Sequence, residues 1–270
     1  MSRRFDVSIY RGLAQFGPAY RVMLENDAHA PGSVDQVLME NMVRLCTETA
    51  DYLYSQYTPE RSLYRRGERP ELEYWIDRIF PAGNSDEERI AAIVRFTARL
   101  QGKACQDLDS VQIGGTEEEI IARGSDWCAD VSRAGCALCQ VAGYPARIVY
   151  LVDTEKPYSG HVIMEVFRTG VWGAVDPLTD VLYSRSGGSP ASTWDLMNDT
   201  DLIEQHSRGE STPYTTPGQF RAAAISNYFL WEATAYDYTV VGINKYYRSI
   251  LDMSEQGWPC GLRWLHGEDE

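Results

Sequence analysis

GSDWCADVSRAGCALCQVAGYPARIVYLVDTEKPYSGHVIMEVFRTGVWGAVDPLTDVLY, residues Gly124 to Tyr183, is the stretch whose pattern decides the fold. Ser125 and Asp126 are helix-capping residue types, and Val131, Ala134, Leu138, Val141 and Ala142 recur at the three-or-four spacing of one buried helical face. The pattern predicts a helix with Cys128 in its first turn. Unpaired backbone N–H groups and the positive end of the helix dipole favour a thiolate over a thiol there. Gly143 and Pro145 predict the end of the helix, and Ile148 to Val152 a buried strand.

Two further runs, HVIMEVF from His161 and VWGAVDP from Val171, are β-prone and separated by Arg168, Thr169 and Gly170. That is hairpin spacing, with a glycine available for positive φ. Pairing Phe167 with Gly170 sets His161 directly opposite Asp176 on one sheet face. A carboxylate placed so bonds one imidazole nitrogen and leaves the other for Cys128. Cysteine, histidine and aspartate in these roles make an acyl-transfer site.

The same residues carry a resemblance. A Cys-headed helix, the turn GYPAR at 143–147, the strand HVIMEV from His161 and the strand WGAVDP from Trp172 follow in the order of the transglutaminase-like superfamily core, over about Ser85 to Tyr183. The resemblance implies Cys128 as nucleophile, His161 as general base and acid, and Asp176 as the residue orienting His161. The related arylamine N-acetyltransferases use a similar order, but the Asp-Pro pair and the GYPAR turn favour the transglutaminase-like branch. Two positions depart from the family pattern. Asp126 stands where the family often has glycine, and Ile163 where it has a tryptophan, so both alter the expected pocket wall. Trp127, Ile163 and the upstream Gln112 are the candidate substrate-binding residues. Gln112 is the candidate second oxyanion donor beside the Cys128 backbone N–H.

Composition narrows the partners. The 270 residues carry a formal charge of −14, which repels nucleic-acid phosphates and anionic membranes. No apolar run approaches the length of a membrane span, and MSRRFDVSIYRG lacks the apolar core of a secretory signal. Neither nucleic acid nor membrane is expected as a partner, and the expected location is cytoplasmic. The six cysteines, at 46, 105, 128, 136, 139 and 260, lack disulfide-framework spacing. Cys136 and Cys139 form C-x-x-C, but no second pair completes a zinc site, so they read as small core residues. Neither a metal nor an organic cofactor is expected.

The flanks read as helical. Ser33 to about Tyr57 is predicted as one helix, Pro70 opens a second to about Phe80, and Ser85 with Glu88 and Thr116 with Glu119 form capping boxes for two more. Beyond Asp176, a short strand at Val181 to Tyr183 is followed by helices from Thr193 to about His206 and from Gln219 to about Ala235, then an aromatic-rich tract. SRGESTPYTTPG between them reads as a loop or lid. His29, His206 and His266 read as solvated, and Glu165 as a partner for Arg147.

The expected architecture is α+β: a mainly helical N-terminal extension (1–84), a transglutaminase-like catalytic core (85–183) whose Cys-bearing helix packs on a small antiparallel sheet, and a helical, aromatic-rich C-terminal region (184–270), packed as one unit. The expected activity is acyl transfer through a thioester acyl-enzyme, from a peptide, amide or acyl-thioester donor to a small amine. Hydrolysis by the same triad, as an amidase or cysteine peptidase, and a non-catalytic scaffold that keeps the fold are the alternatives.

Overall fold

The computed structural model describes residues 10, 42–56, 64–80, 85–101, 114–155, 160–207 and 215–226. They form an α+β fold around a six-stranded antiparallel sheet. The strands are β1 (Met42–Leu45), β2 (Ala146–Val152), β3 (His161–Arg168), β4 (Val171–Asp176), β5 (Val181–Leu182) and β6 (Ala222–Ser226). Their spatial order is β1-β6-β2-β3-β4-β5. Strands β2 to β5 form a meander, and β6 is inserted between β1 and β2.

Strands from both flanks therefore complete the sheet, which differs from the helical flanks expected from local pattern. Met42 to Leu45, read as part of a helix from Ser33, is an edge strand; helix α1 (Thr47–Asp51) and a π-helical turn (Tyr52–Gln56) follow it. Ala222 to Ser226, read as helix, is a fully buried strand. Alanine has little intrinsic strand preference, and both segments owe their conformation to partners far away in sequence. The remainders of those two predicted helices, residues 33–41, 57 and 227–235, lie outside the described residues, as do the aromatic-rich tract, His29 and His266.

Helices cover both sheet faces. On one lie α2 (Pro70–Ile79), α3 (Asp86–Ala98), α4 (Glu117–Arg123) and α5 (Cys128–Val141). Their core joins Leu72, Ile90, Ile93, Ile120, Ala137 and Leu138 to the even-numbered residues Ile148, Val162 and Met164 of β2 and β3. The capping boxes Ser85–Glu88 and Thr116–Glu119 form at the N-termini of α3 and α4 as their spacing predicts. The opposite face, with Val149, Leu151, Ile163 and Ala174, packs against Leu53, Leu196, Ile203 and Phe220. Helix α6 (Thr193–Asn198) and α7 (Asp201–Ser207) lie in that second layer as two short helices in place of the single one expected.

One buried ion pair ties this second layer together. Arg147 and Glu165, 2% and 0% exposed, are direct cross-strand partners in β2 and β3. Arg147 Nε donates to Glu165 Oε2 at 2.8 Å, and its Nη1 to the Leu53 carbonyl at 2.7 Å. Glu165 Oε1 accepts from the Tyr54 hydroxyl and from the Thr193 N–H, both at 2.7 Å. The guanidinium also stacks on Trp172, 3.9 Å from the ring centroid. The expected pairing is present, with more partners than sequence suggested.

Removing one member of such a pair leaves the other charge buried without compensation. Arg147→Met is expected to cost about 3–5 kcal/mol. Urea unfolding followed by circular dichroism measures it, and a loss below about 1 kcal/mol would show that the pair does not hold the layers together.

Candidate active site

Helix α5 begins at Cys128 itself. Its N-cap is Trp127, whose side chain makes no capping bond, so neither Ser125 nor Asp126 caps the helix as expected. Ser125 acts one step earlier. Its Oγ accepts from the Trp127 N–H at 3.1 Å and donates to Asp130 Oδ2 at 3.0 Å. Asp130, buried in the first turn, also takes Arg123 Nη2 and the Gly114 N–H, each at 3.0 Å. Behind it, Arg133 Nη2 donates to Glu117 Oε1 at 2.6 Å. Burial works against the Glu117 carboxylate, but Arg133 and Arg69 outweigh it and hold its pKa below the usual value. The backbone entering α5 is thus fixed by the buried Asp130, Arg133 and Glu117 together with the partly exposed Arg123.

The helix is fixed to β3 as well. Ser132 Oγ donates to the Val162 carbonyl at 2.8 Å, one residue from His161. Gly135 permits the close approach: a Cβ there would lie 3.2 Å from the Met164 sulfur. The helix ends as predicted, with Gly143 at φ +96° and the Tyr144 N–H bonded to the Cys139 carbonyl at 2.9 Å.

The hairpin that carries the other two groups differs from the expected register. Its turn is the two residues Thr169 and Gly170, both at positive φ, and Arg168 pairs with Val171. Met164 pairs with Val175, so Asp176 stands level with Ile163 and not with His161. The shift is two residues, an even number, so His161 and Asp176 remain on one face as diagonal neighbours. His161 Nε2 and Asp176 Oδ2 are 2.8 Å apart. The Cys128 sulfur lies near enough to the ring to raise its pKa. With Nε2 engaged by the carboxylate, Nδ1 is the nitrogen left for sulfur.

Cys128 comes from the helical layer, while His161 and Asp176 project from the opposite sheet face, so the three groups meet at the strand ends. Cys128 is half-buried; His161 and Asp176 are buried. Burial disfavours the imidazolium, but the Asp176 carboxylate and the Cys128 sulfur outweigh it, and the pKa of His161 is pushed up to about 10. Burial likewise opposes the Asp176 carboxylate, yet His161, Thr215 and the Leu178 N–H together keep its pKa below the ordinary value.

Thr215 had no signal in the sequence beyond its place in a stretch read as a lid. Its Oγ1 donates to Asp176 Oδ2 at 2.6 Å, across 39 residues. Of the expected substrate-binding residues, Trp127 is half-buried beside Cys128 and packs against the helical-layer core. Ile163 is 0% exposed among the core residues of the second layer, so it offers no wall to a substrate: an apolar side chain at that inward register position is core. Gln112 lies outside the described residues.

Cys136 and Cys139 are buried core thiols, and burial pushes Cys136 well up and Cys139 to about 12. His206 is half-buried rather than solvated: its Nδ1 bonds the Leu202 carbonyl at 2.8 Å, and its Nε2 accepts from the Ser184 N–H at 3.3 Å. Among the described residues no group of three or more His, Cys, Asp or Glu side chains is placed to hold a metal ion, and no helix is long and apolar enough to cross a membrane. No protein-family model, curated protein or solved structure matches the chain.

The imidazolium–carboxylate pair gives stability a defined pH dependence. His161 is raised from 6.5 to about 10, so its contribution is complete below pH 6.5 and lost as pH rises through about 10. Asp176 is lowered from 3.8, so its contribution is present above pH 3.8 and lost as pH falls through its lower folded value. The Tm difference between wild type and Asp176→Asn is therefore expected to be largest between about pH 4 and 6.5 and to shrink toward pH 10. Differential scanning fluorimetry across that range checks it; a flat difference would mean that the buried ring is neutral throughout.

Proposed function

We propose that the chain is a cysteine-dependent acyltransferase with a transglutaminase-like core, in which Cys128 is the nucleophile, His161 the general acid and base, and Asp176 the group that orients and charges His161. The observation that carries this reading is the buried hydrogen bond between His161 and Asp176, set beside a half-buried Cys128 whose sulfur helps to raise the imidazole pKa. An imidazolium next to a thiol suits this chemistry because it balances a thiolate and holds a proton ready for the leaving group.

The thiolate of Cys128 attacks the carbonyl carbon of an amide or thioester donor, and the carbon–oxygen double bond becomes a tetrahedral oxyanion. The Cys128 N–H, in the first turn of α5 where backbone donors have no intrahelical partner, is placed to receive that charge. As the oxyanion collapses, the carbon–nitrogen or carbon–sulfur bond of the donor breaks. The leaving amine or thiol takes the proton from His161, and a thioester to Cys128 remains. An acceptor amine then attacks the thioester and gives its proton to His161. The carbon–sulfur bond to Cys128 breaks, which releases the new amide and restores the thiolate–imidazolium pair.

A panel of amide and thioester donors, assayed with and without small primary amines, tests the reading. Amide product is expected to rise with amine concentration, and Cys128→Ala is expected to lower the rate by at least about 1,000-fold. Acid product formed at the same rate with no amine would make the protein an amidase or peptidase. No turnover of any donor, together with alkylation of Cys128 that is independent of His161, would leave a scaffold that keeps the fold.

A further inference from the structure

From the way the Asp176 carboxylate is held, we infer that Thr215 is a positioning residue of this site: it fixes the oxygen of Asp176 that faces His161. This role rests on the acyl-transfer reading of the triad.

The hydrogen-bond directions follow from the chemistry of the groups. An ionised carboxylate only accepts, so the single hydroxyl hydrogen of Thr215 is committed to Asp176 Oδ2, at 2.6 Å. Tyr183, 2% exposed, is wedged edge-on against Phe220 and His206 in the same layer, with ring centroids 6.1 and 5.4 Å away.

A hydrogen-bonded line results, from Thr215 through Asp176 to His161. The other carboxylate oxygen, Oδ1, is held separately by the Leu178 N–H at 3.0 Å. With Oδ1 pinned by backbone and Oδ2 by Thr215, the carboxylate plane is set before His161 contributes. The ring then has one orientation in which Nε2 meets Oδ2 and Nδ1 faces the sulfur. Thr215 itself is delivered by the second layer: it precedes the 3₁₀ turn Pro217–Arg221, where the Thr216 N–H bonds Gln219 Oε1 at 2.8 Å, and that turn runs directly into β6.

The test separates the hydroxyl from the methyl group. Thr215→Val keeps shape and loses the donor, whereas Thr215→Ser keeps the donor and loses the methyl. In the full chain at neutral pH, peptide-mapped alkylation of Cys128 by iodoacetamide is expected to slow about 10-fold in T215V and to stay within about twofold of wild type in T215S. T215V reacting at the wild-type rate, or T215S slowing as much as T215V, overturns the role, the second because packing alone would then explain the residue. Should T215V fail to fold, Thr215→Ala differs from T215S only in the hydroxyl; it is expected to slow Cys128 relative to T215S, and equal rates in the two overturn the proposal. Alkylation needs no acyl donor, so the two readings fail separately. A slowed T215V in a protein that turns over no donor keeps the positioning role and removes the acyltransferase, whereas an active enzyme indifferent to T215V does the reverse.

Discussion

The cross-strand pairing of Arg147 with Glu165 is the constraint on which the arrangement rests. Because the two are direct partners in β2 and β3, a slip of one residue between the strands would put the charges on opposite faces, one of them in an apolar helical layer with no partner. The same register sets His161 opposite Leu151 at the open end of the sheet. A structural ion pair near one end of the hairpin thus determines where the imidazole stands at the other. Its links to Leu53, Tyr54 and Thr193 extend that control to the layer from which Thr215 reaches the carboxylate.

A second set of charges does the corresponding work for the sulfur. Asp130, Arg133, Glu117 and the partly exposed Arg123 close around the first turn of α5, and Ser125 couples them to the backbone of Trp127. Buried charges are costly unless each is paired and hydrogen-bonded, so the cluster specifies one path for the chain into Cys128. Cys128 and His161 are held by different networks, one in each layer, and Ser132 joins them by its bond to the strand of His161.

The sequence made these parts legible to different degrees, for physical reasons. Capping boxes such as Ser85–Glu88 are local chemistry within four residues and were readable, as were the end of α5 at Gly143 and the hairpin around Gly170. The face shared by His161 and Asp176 was readable although their register was not: a two-residue turn and a three-residue separator shift the pairing by an even number, and side-chain direction in a strand repeats every two. Strands β1 and β6 were not readable, because Ala222 to Ser226 has the composition of a helix and becomes a strand only between two partners. Ser125 was seen as a cap type, but its real partner is Asp130, and Thr215 meets Asp176 only once the second layer is assembled. The chemistry of the site was local in sequence, and its support was not.

The insertion of β6 between β1 and β2 has a consequence for how the molecule is made. Strands β2 to β5 are neighbours along the chain and can associate as successive hairpins. The β1–β6 pairing, Met42 with Ser226, instead closes a loop of most of the polypeptide, and contacts of high sequence separation are the slow ones to form. Thr215 lies just ahead of that late strand. Topology therefore orders assembly so that Cys128, His161 and Asp176 can come together on the early meander, while the last hydroxyl arrives only when the sheet is complete. A nascent or partly opened chain would hold Cys128, His161 and Asp176 without their final alignment, which the finished fold alone would complete.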